Sequence, residues 1–258
     1  MKVDINQARE ICEVVRKNFP YESPWLQRNF QYKSLLRNKD VSKMKDVVEL
    51  QRKMERQDKD IGFLRDCYMI FQDSPFDYFR ELLHGVHTFK VQNCGEIARI
   101  TYLVLRMNGL KNSDLDLALL TAQRPQKESK GLFSPIDKIV EFIENLENDN
   151  GFRLLDHVAA QIKNKIIVDP LLNECDMKSK IEKIYKTNYG DVLKVSEDKD
   201  VCIVNGSCGY TSLPKLNDDE VKEFVKLYPD LIIGKERASK PFESKKAFFF
   251  KRLIGQHC

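Results

Sequence analysis

The sequence predicts an α+β fold, on three observations. The first third carries apolar residues at helical spacing. From about residue 91 the texture changes to one strongly apolar helix and then to several short apolar strands. Helices come first and strands later, the order expected of segregated layers. The chain has 258 residues, 42% of them hydrophobic and 32% charged, enough for a packed core in one or two domains. Gly (11) and Pro (9) are too sparse for a linker-dominated or collagen-like chain.

The elements follow in order. Ile5, Ala8, Cys12 and Val15 share one helical face, and the first fifteen residues read as an amphipathic helix with acidic residues rather than as a secretory signal. Residues 40–58 form a charged surface helix with an apolar stripe at Val41, Met44, Val47, Val48, Leu50 and Met54. Glu49/Lys53 and Glu55/Lys59 are its supporting pairs. Residues 77–90 form another helix, weakened at Gly85. Residues 93–108 form the apolar helix, ending before Gly109 as a left-handed C-cap. A buried strand follows at 115–121, a polar loop at 124–131 and a helix at 136–147. Residues 152–162 and 165–169 are two strands around a tight turn, 201–204 is a further strand, and 205–209 is a turn. A helix opens at Asn217-Asp218, and the last twenty residues are basic and aromatic. We divide the chain into a helical N-terminal region, 1–76, packed on a core, 77–258.

Charge and composition exclude some functions. The net charge of +4 is a balance of 43 basic against 39 acidic residues, with no basic block interleaved with aromatics, so no nucleic-acid partner is expected. No apolar run approaches the roughly 18 residues of a membrane span. Seven Cys, at 12, 67, 94, 175, 202, 208 and 258, show neither a CxxC pair nor zinc spacing. Free thiols of this kind suit a reducing, cytosolic site of action.

Three segments carry chemistry: Val91-Gln92-Asn93-Cys94-Gly95-Glu96-Ile97-Ala98, Asp156-His157-Val158 and Val168-Asp169-Pro170. Asn93 and Glu96 have the spacing of a capping box, which puts Cys94 at the first helical position. A thiol there meets the positive end of the helix dipole, which favours a thiolate. Gly95 lets a substrate or another chain approach closely. Strand alternation places Leu155, His157, Ala159 and Gln161 on one face. A hairpin loop centred on Lys163 sets Asp169 directly opposite His157. One centred on Asn164 makes Asp169 a diagonal neighbour on the same face, and a two-residue loop turns it to the wrong face. A Cys nucleophile needs a base that later protonates the leaving amine, and His does both. A carboxylate on the other ring nitrogen fixes the tautomer and stabilises the imidazolium. The first oxyanion donor is the Cys94 N–H. The second is either the Gln92 side chain or a backbone N–H that spacing does not identify.

The order Cys, His, Asp, with an Asn-Cys-Gly-Glu helix start, a His-bearing strand and a Val-Asp-Pro strand end, resembles the papain-like and transglutaminase-like cysteine enzyme superfamily. The likeness covers about residues 90–170 and is nearest the compact bacterial members, several of which are secreted effectors that deamidate glutamine or cleave host proteins. The longer papain signature around the nucleophile, Cys-Gly-Ser-Cys-Trp, is absent. The resemblance implies a nucleophile helix packed on a small antiparallel sheet, with Cys94 as nucleophile, His157 as base and acid, and Asp169 as orienter. It implies thioester chemistry on an amide of a protein substrate, by deamidation, proteolysis or transamidation, with no cofactor, and action in the cytosol of a host cell after secretion. The helical first third matches no such family; its size makes it the expected docking surface for a macromolecular substrate. The alternative is a catalytically silent protein-binding module on the same fold. His84 and His87 have a spacing compatible with two metal ligands, but no carboxylate or Cys cluster completes a site, and a core or surface role is expected.

Overall fold

The computed structural model describes residues 4–24, 27, 44–123, 152–193, 200–205 and 213–234. The loop read at 124–131, the helix at 136–147, residues 206–209 of the turn and the basic aromatic end lie outside these residues.

Its centre is one helix, buried on every side. In chain order the helices leading to it are α1 (Ile5–Asn18), α2 (Met44–Met69) and α3 (Pro75–Phe89), and α4 (Cys94–Met107) is the central one. A 3-10 turn, Asn112–Asp114, leads into β1 (Leu115–Gln123). Then follow β2 (Phe152–Ile162), β3 (Ile166–Asp169), β4 (Glu174–Met177), α5 (Lys178–Leu193), β5 (Asp200–Asn205) and α6 (Asp218–Leu227). The fold is α+β: among the described residues, five strands lie in the order β4-β3-β2-β1-β5, every neighbouring pair antiparallel.

Local chemistry explains the helix ends. Asp4 caps α1 through its carboxylate, which accepts the N–H groups of Asn6 and Gln7. Pro75 opens α3, where its missing N–H costs nothing. Asn93 and Glu96 form the capping box of α4, the Asn93 N–H donating to Glu96 Oε2 at 3.1 Å. At its other end, Gly109 (φ 92°) donates to the Arg106 carbonyl and Leu110 to that of Leu105. That pair of bonds is a Schellman motif, and only glycine takes its positive φ without strain.

The sheet is sandwiched. Ala160, Ile162, Ile166 and Val168 turn towards α1 and α4, in one apolar cluster with Leu64 and Tyr68 of α2 and Phe79 and Leu82 of α3. Ala118, Leu120, Ala159, Ile167, Val201 and Ile203 turn the other way, onto Ile181 and Tyr185 of α5. The N-terminal helices therefore share the core of the sheet domain, and each fully buried aliphatic side chain there is worth about 1.5–3 kcal/mol. Lys53 of α2 ion-pairs with Glu22 at 2.6 Å, reaching across the chain rather than to the helical partner its spacing offered.

Two features of the sheet go beyond the sequence reading, which left the hairpin centre open between Lys163 and Asn164 and assigned no β1–β2 register. The β2–β3 hairpin is centred on Asn164, not Lys163: Ile162 opposes Ile166 and Ala160 opposes Val168. Lys163 and Asn164 both take positive φ (49° and 54°), and the Lys165 N–H closes onto the Ile162 carbonyl, so the turn chemistry sets the register. Asp169 is thus the diagonal neighbour of His157. The β1–β2 ladder also slips: Leu119 opposes Val158 but Thr121 opposes Leu154. Leu155, Asp156 and His157 stand where β1 has Leu120 alone. An irregularity of this kind twists a strand and re-aims its side chains.

Candidate active site

Cys94 begins α4, packed with Ala98, Leu117, Leu119 and Val158. Val158 is the neighbour of His157, so the slipped end of β2 brings the imidazole to the start of the helix. His157 Nε2 donates to Asp169 Oδ2 at 2.6 Å, and neither side chain has any solvent exposure. With Nε2 committed to the carboxylate, Nδ1 is the ring nitrogen left to serve Cys94. Burial acts against the imidazolium. Asp169, the hydrogen bond to it and the Cys94 thiol outweigh burial and push His157 up to about 10.

Asp169 is held from four directions. Its Oδ1 accepts the N–H groups of Leu171 (3.1 Å) and Leu172 (3.3 Å), because Pro170 starts a turn that folds back on the strand end. Its Oδ2 accepts His157 and also the Tyr185 hydroxyl at 2.5 Å. The Tyr185 ring stands edge-on to the imidazole. Burial first, and then Asp169, push the phenol well above its usual range, so it remains a donor. Sequence reasoning missed Tyr185 because it assigned no helix to 178–193. The signal was present: Ile181, Ile184, Tyr185 and Tyr189 recur at helical spacing.

Gln92 requires a correction. It is buried, but its Nε2 donates to the carbonyls of Phe19 (2.9 Å) and Tyr21 (3.3 Å). Both amide hydrogens are engaged there, so Gln92 is a fastener and not the oxyanion donor. The cause lies one residue earlier: Val91 bridges Glu22, and the Gln92 N–H donates to the Glu22 carbonyl at 3.1 Å. The Cys94 N–H remains the first amide of its helix, a position with no intrahelical acceptor.

The segment around the thiol is fastened by the N-terminal region. Ser23 Oγ donates to Asn93 Oδ1 at 3.0 Å. Glu96, fully buried, accepts Arg65 Nε at 2.8 Å, Arg65 Nη2 at 3.3 Å and the Tyr68 hydroxyl at 3.2 Å. Burial opposes the charge on Glu96, but Arg65 and Arg99 outweigh it and hold the carboxyl below its usual range. Arg99 donates to the Gly95 carbonyl (3.0 Å) and to the Tyr78 hydroxyl (2.8 Å). These long-range partners left no local signal in the sequence.

The remaining candidates lie elsewhere. His87 Nδ1 meets the Tyr21 hydroxyl, and His84 meets Thr88 Oγ1 at 3.4 Å. Among the described residues no group of three or more His, Cys, Asp or Glu could hold a metal ion, and no helix is long and apolar enough to cross a membrane. The side chains of Leu155, Asp156, Cys202 and Cys208 lie outside the described residues. Compared with family models, curated proteins and solved structures, the chain matches none.

Proposed function

We propose that the chain is a thiol-dependent amide hydrolase built on a papain-like or transglutaminase-like core. More particularly, it acts on an amide of a protein substrate, either a glutamine side chain or a peptide bond, in a cytosolic setting such as that of a host-directed bacterial effector. The observation that carries the reading is the buried His157–Asp169 pair set against a Cys at the first position of a buried helix.

The sulfur of Cys94, as the thiolate paired with the imidazolium, attacks the amide carbon. A C–S bond forms and the carbonyl electrons move to oxygen, where the Cys94 N–H donates to the oxyanion. Electrons return from oxygen, the C–N bond breaks, and His157 gives its proton to the leaving nitrogen, releasing ammonia or an amine. Water then attacks the thioester, His157 takes its proton, the C–S bond breaks, and a carboxylic acid leaves. Asp169 holds the ring through Nε2 at every step, so the proton moves only at Nδ1. An amine in place of water gives transamidation with the same residues.

The test is an acyl-enzyme trap. Denatured cell proteins digested to large peptides are mixed with the protein and quenched in acid, and intact mass is read. The reading predicts a hydroxylamine-labile adduct mapped to Cys94, absent from Cys94→Ser. Turnover without any adduct on Cys94, or neither adduct nor ammonia nor amine release, counts against it.

A further inference from the structure

We propose that Arg65 forms, beside Cys94 and Gly95, a subsite for a carboxylate that a peptide substrate carries next to the amide under attack. The inference rests on the amide-hydrolase reading and adds to it a substrate class: acidic peptide segments.

Arg65 comes from α2, outside the helix and strands that carry Cys94, His157 and Asp169, yet its guanidinium lies against the nucleophile turn. Its Nη2 is 3.8 Å from where a Cβ on Gly95 would sit, and Gly95 directly follows Cys94. The fork is half spent. Nε and Nη2 grip the buried Glu96, while Nη1 has no partner among the described residues. The side chain is 48% exposed although the carboxylate it grips is at 0%. Asn93 and Gly95, the rim of the same turn, are half-buried. A guanidinium fixed along one edge and open along the other presents a rigid, directional donor to a second carboxylate.

The charges around the thiol point the same way. Glu96 is the one buried carboxylate between Arg65 and Arg99, and it already receives Tyr68 and the Asn93 amide. Asp169 balances the His157 imidazolium. Two guanidinium groups thus face one carboxylate at Gly95. Burial acts against the Arg65 charge, but Glu96, Tyr68 and Cys94 outweigh it.

The experiment compares two alkylating probes on the full chain, iodoacetate, which carries a carboxylate, and iodoacetamide, which does not. Rates at Cys94 are read by mass spectrometry at neutral pH in wild type, Arg65→Gln and Arg65→Lys. The proposal predicts that Arg65→Gln lowers the iodoacetate-to-iodoacetamide ratio about five- to ten-fold, the size of one exposed charge contact. Arg65→Lys keeps the ratio within about two-fold, because the charge remains. In wild type the ratio falls as salt is raised to about 1 M, since exposed charges are screened; this arm needs no variant to fold. A ratio unchanged in Arg65→Gln, one lowered equally by Lys and Gln, or one insensitive to salt overturns the subsite while leaving the hydrolase reading standing. A Cys94 that iodoacetamide does not label overturns both.

Discussion

Removing the hydroxyl of Tyr185 tests how the orienting carboxylate is held. The phenol donates to Asp169 Oδ2 at 2.5 Å, with both residues buried completely. A hydrogen bond to an ionised group is worth about 1.5–3 kcal/mol. Asp169 keeps three donors after Tyr185→Phe: His157 and the amides of Leu171 and Leu172. The loss is therefore one bond, about 2 kcal/mol, and not the roughly 3–5 kcal/mol of an orphaned buried charge. With a urea slope of about 2–3 kcal/mol per molar, the unfolding midpoint drops by roughly 0.7–1 M. Tyr189→Phe is the control, because its hydroxyl makes longer bonds, 3.2 Å to the Leu172 carbonyl and 3.3 Å to Glu174, at a half-buried site. It should cost less than about 1 kcal/mol. In a double-mutant cycle with Asp169→Asn, Tyr185→Phe should show coupling above about 1 kcal/mol. A Tyr185→Phe midpoint within about 0.2 M of wild type, or a cycle with no coupling, refutes the reasoning.

Other consequences are equally direct. His157 is held above its ordinary 6.5, at about 10, so its contribution to stability is complete below pH about 6.5 and is lost as pH rises towards about 10. Urea midpoints should show the gap between wild type and His157→Gln shrinking across that window; a gap that widens with pH contradicts the assignment. Gln92→Leu should lower stability by the loss of its ties to Phe19 and Tyr21 while leaving the Cys94 acylation rate of the folded protein within a few-fold. A fall of about 10²–10³-fold, the effect of losing an oxyanion donor, would restore Gln92 to that role. In Gly95→Ala the new methyl meets Arg99 Nη1 at 3.2 Å, and Arg99 is buried and tied to the Gly95 carbonyl and Tyr78, so its displacement offsets the roughly 1 kcal/mol of helix propensity gained and the net change in stability should stay within about 1 kcal/mol. Labelling of Cys94 should slow, because the methyl narrows the approach over the turn; an unchanged rate would place the approach elsewhere.

The sequence made the site legible where the signal was local. Asn93 and Glu96 announce a capped helix three residues apart, and that alone puts Cys94 at its start. Strand alternation put His157 and Asp169 on one face, and a turn centred on Asn164 keeps them there as diagonal neighbours. What was not legible came from afar. The slip of β2 depends on how β1 pairs with it, which no window of sequence contains. Gln92 reads as a polar side chain near a nucleophile until the Phe19 and Tyr21 carbonyls are found against it. Arg65, 29 positions before Cys94, lies beyond the surface helix read at 40–58, and its grip on Glu96 is purely tertiary, so nothing in the sequence singled it out. Helix α5 was a different omission. Its apolar residues are few because one face alone meets the sheet, yet their spacing was readable.

Residue-resolved alkylation tests most directly whether Cys94 is the thiol that His157 serves. Burial pushes the thiols of Cys12, Cys67 and Cys175 upward, Cys175 to about 12, so all three should react slowly at neutral pH. Iodoacetamide at neutral pH should label Cys94 ahead of these three in the wild-type protein, and His157→Gln should abolish the preference. A Cys94 that labels no faster than Cys67 or Cys175, or one that keeps its advantage without His157, contradicts the central claim.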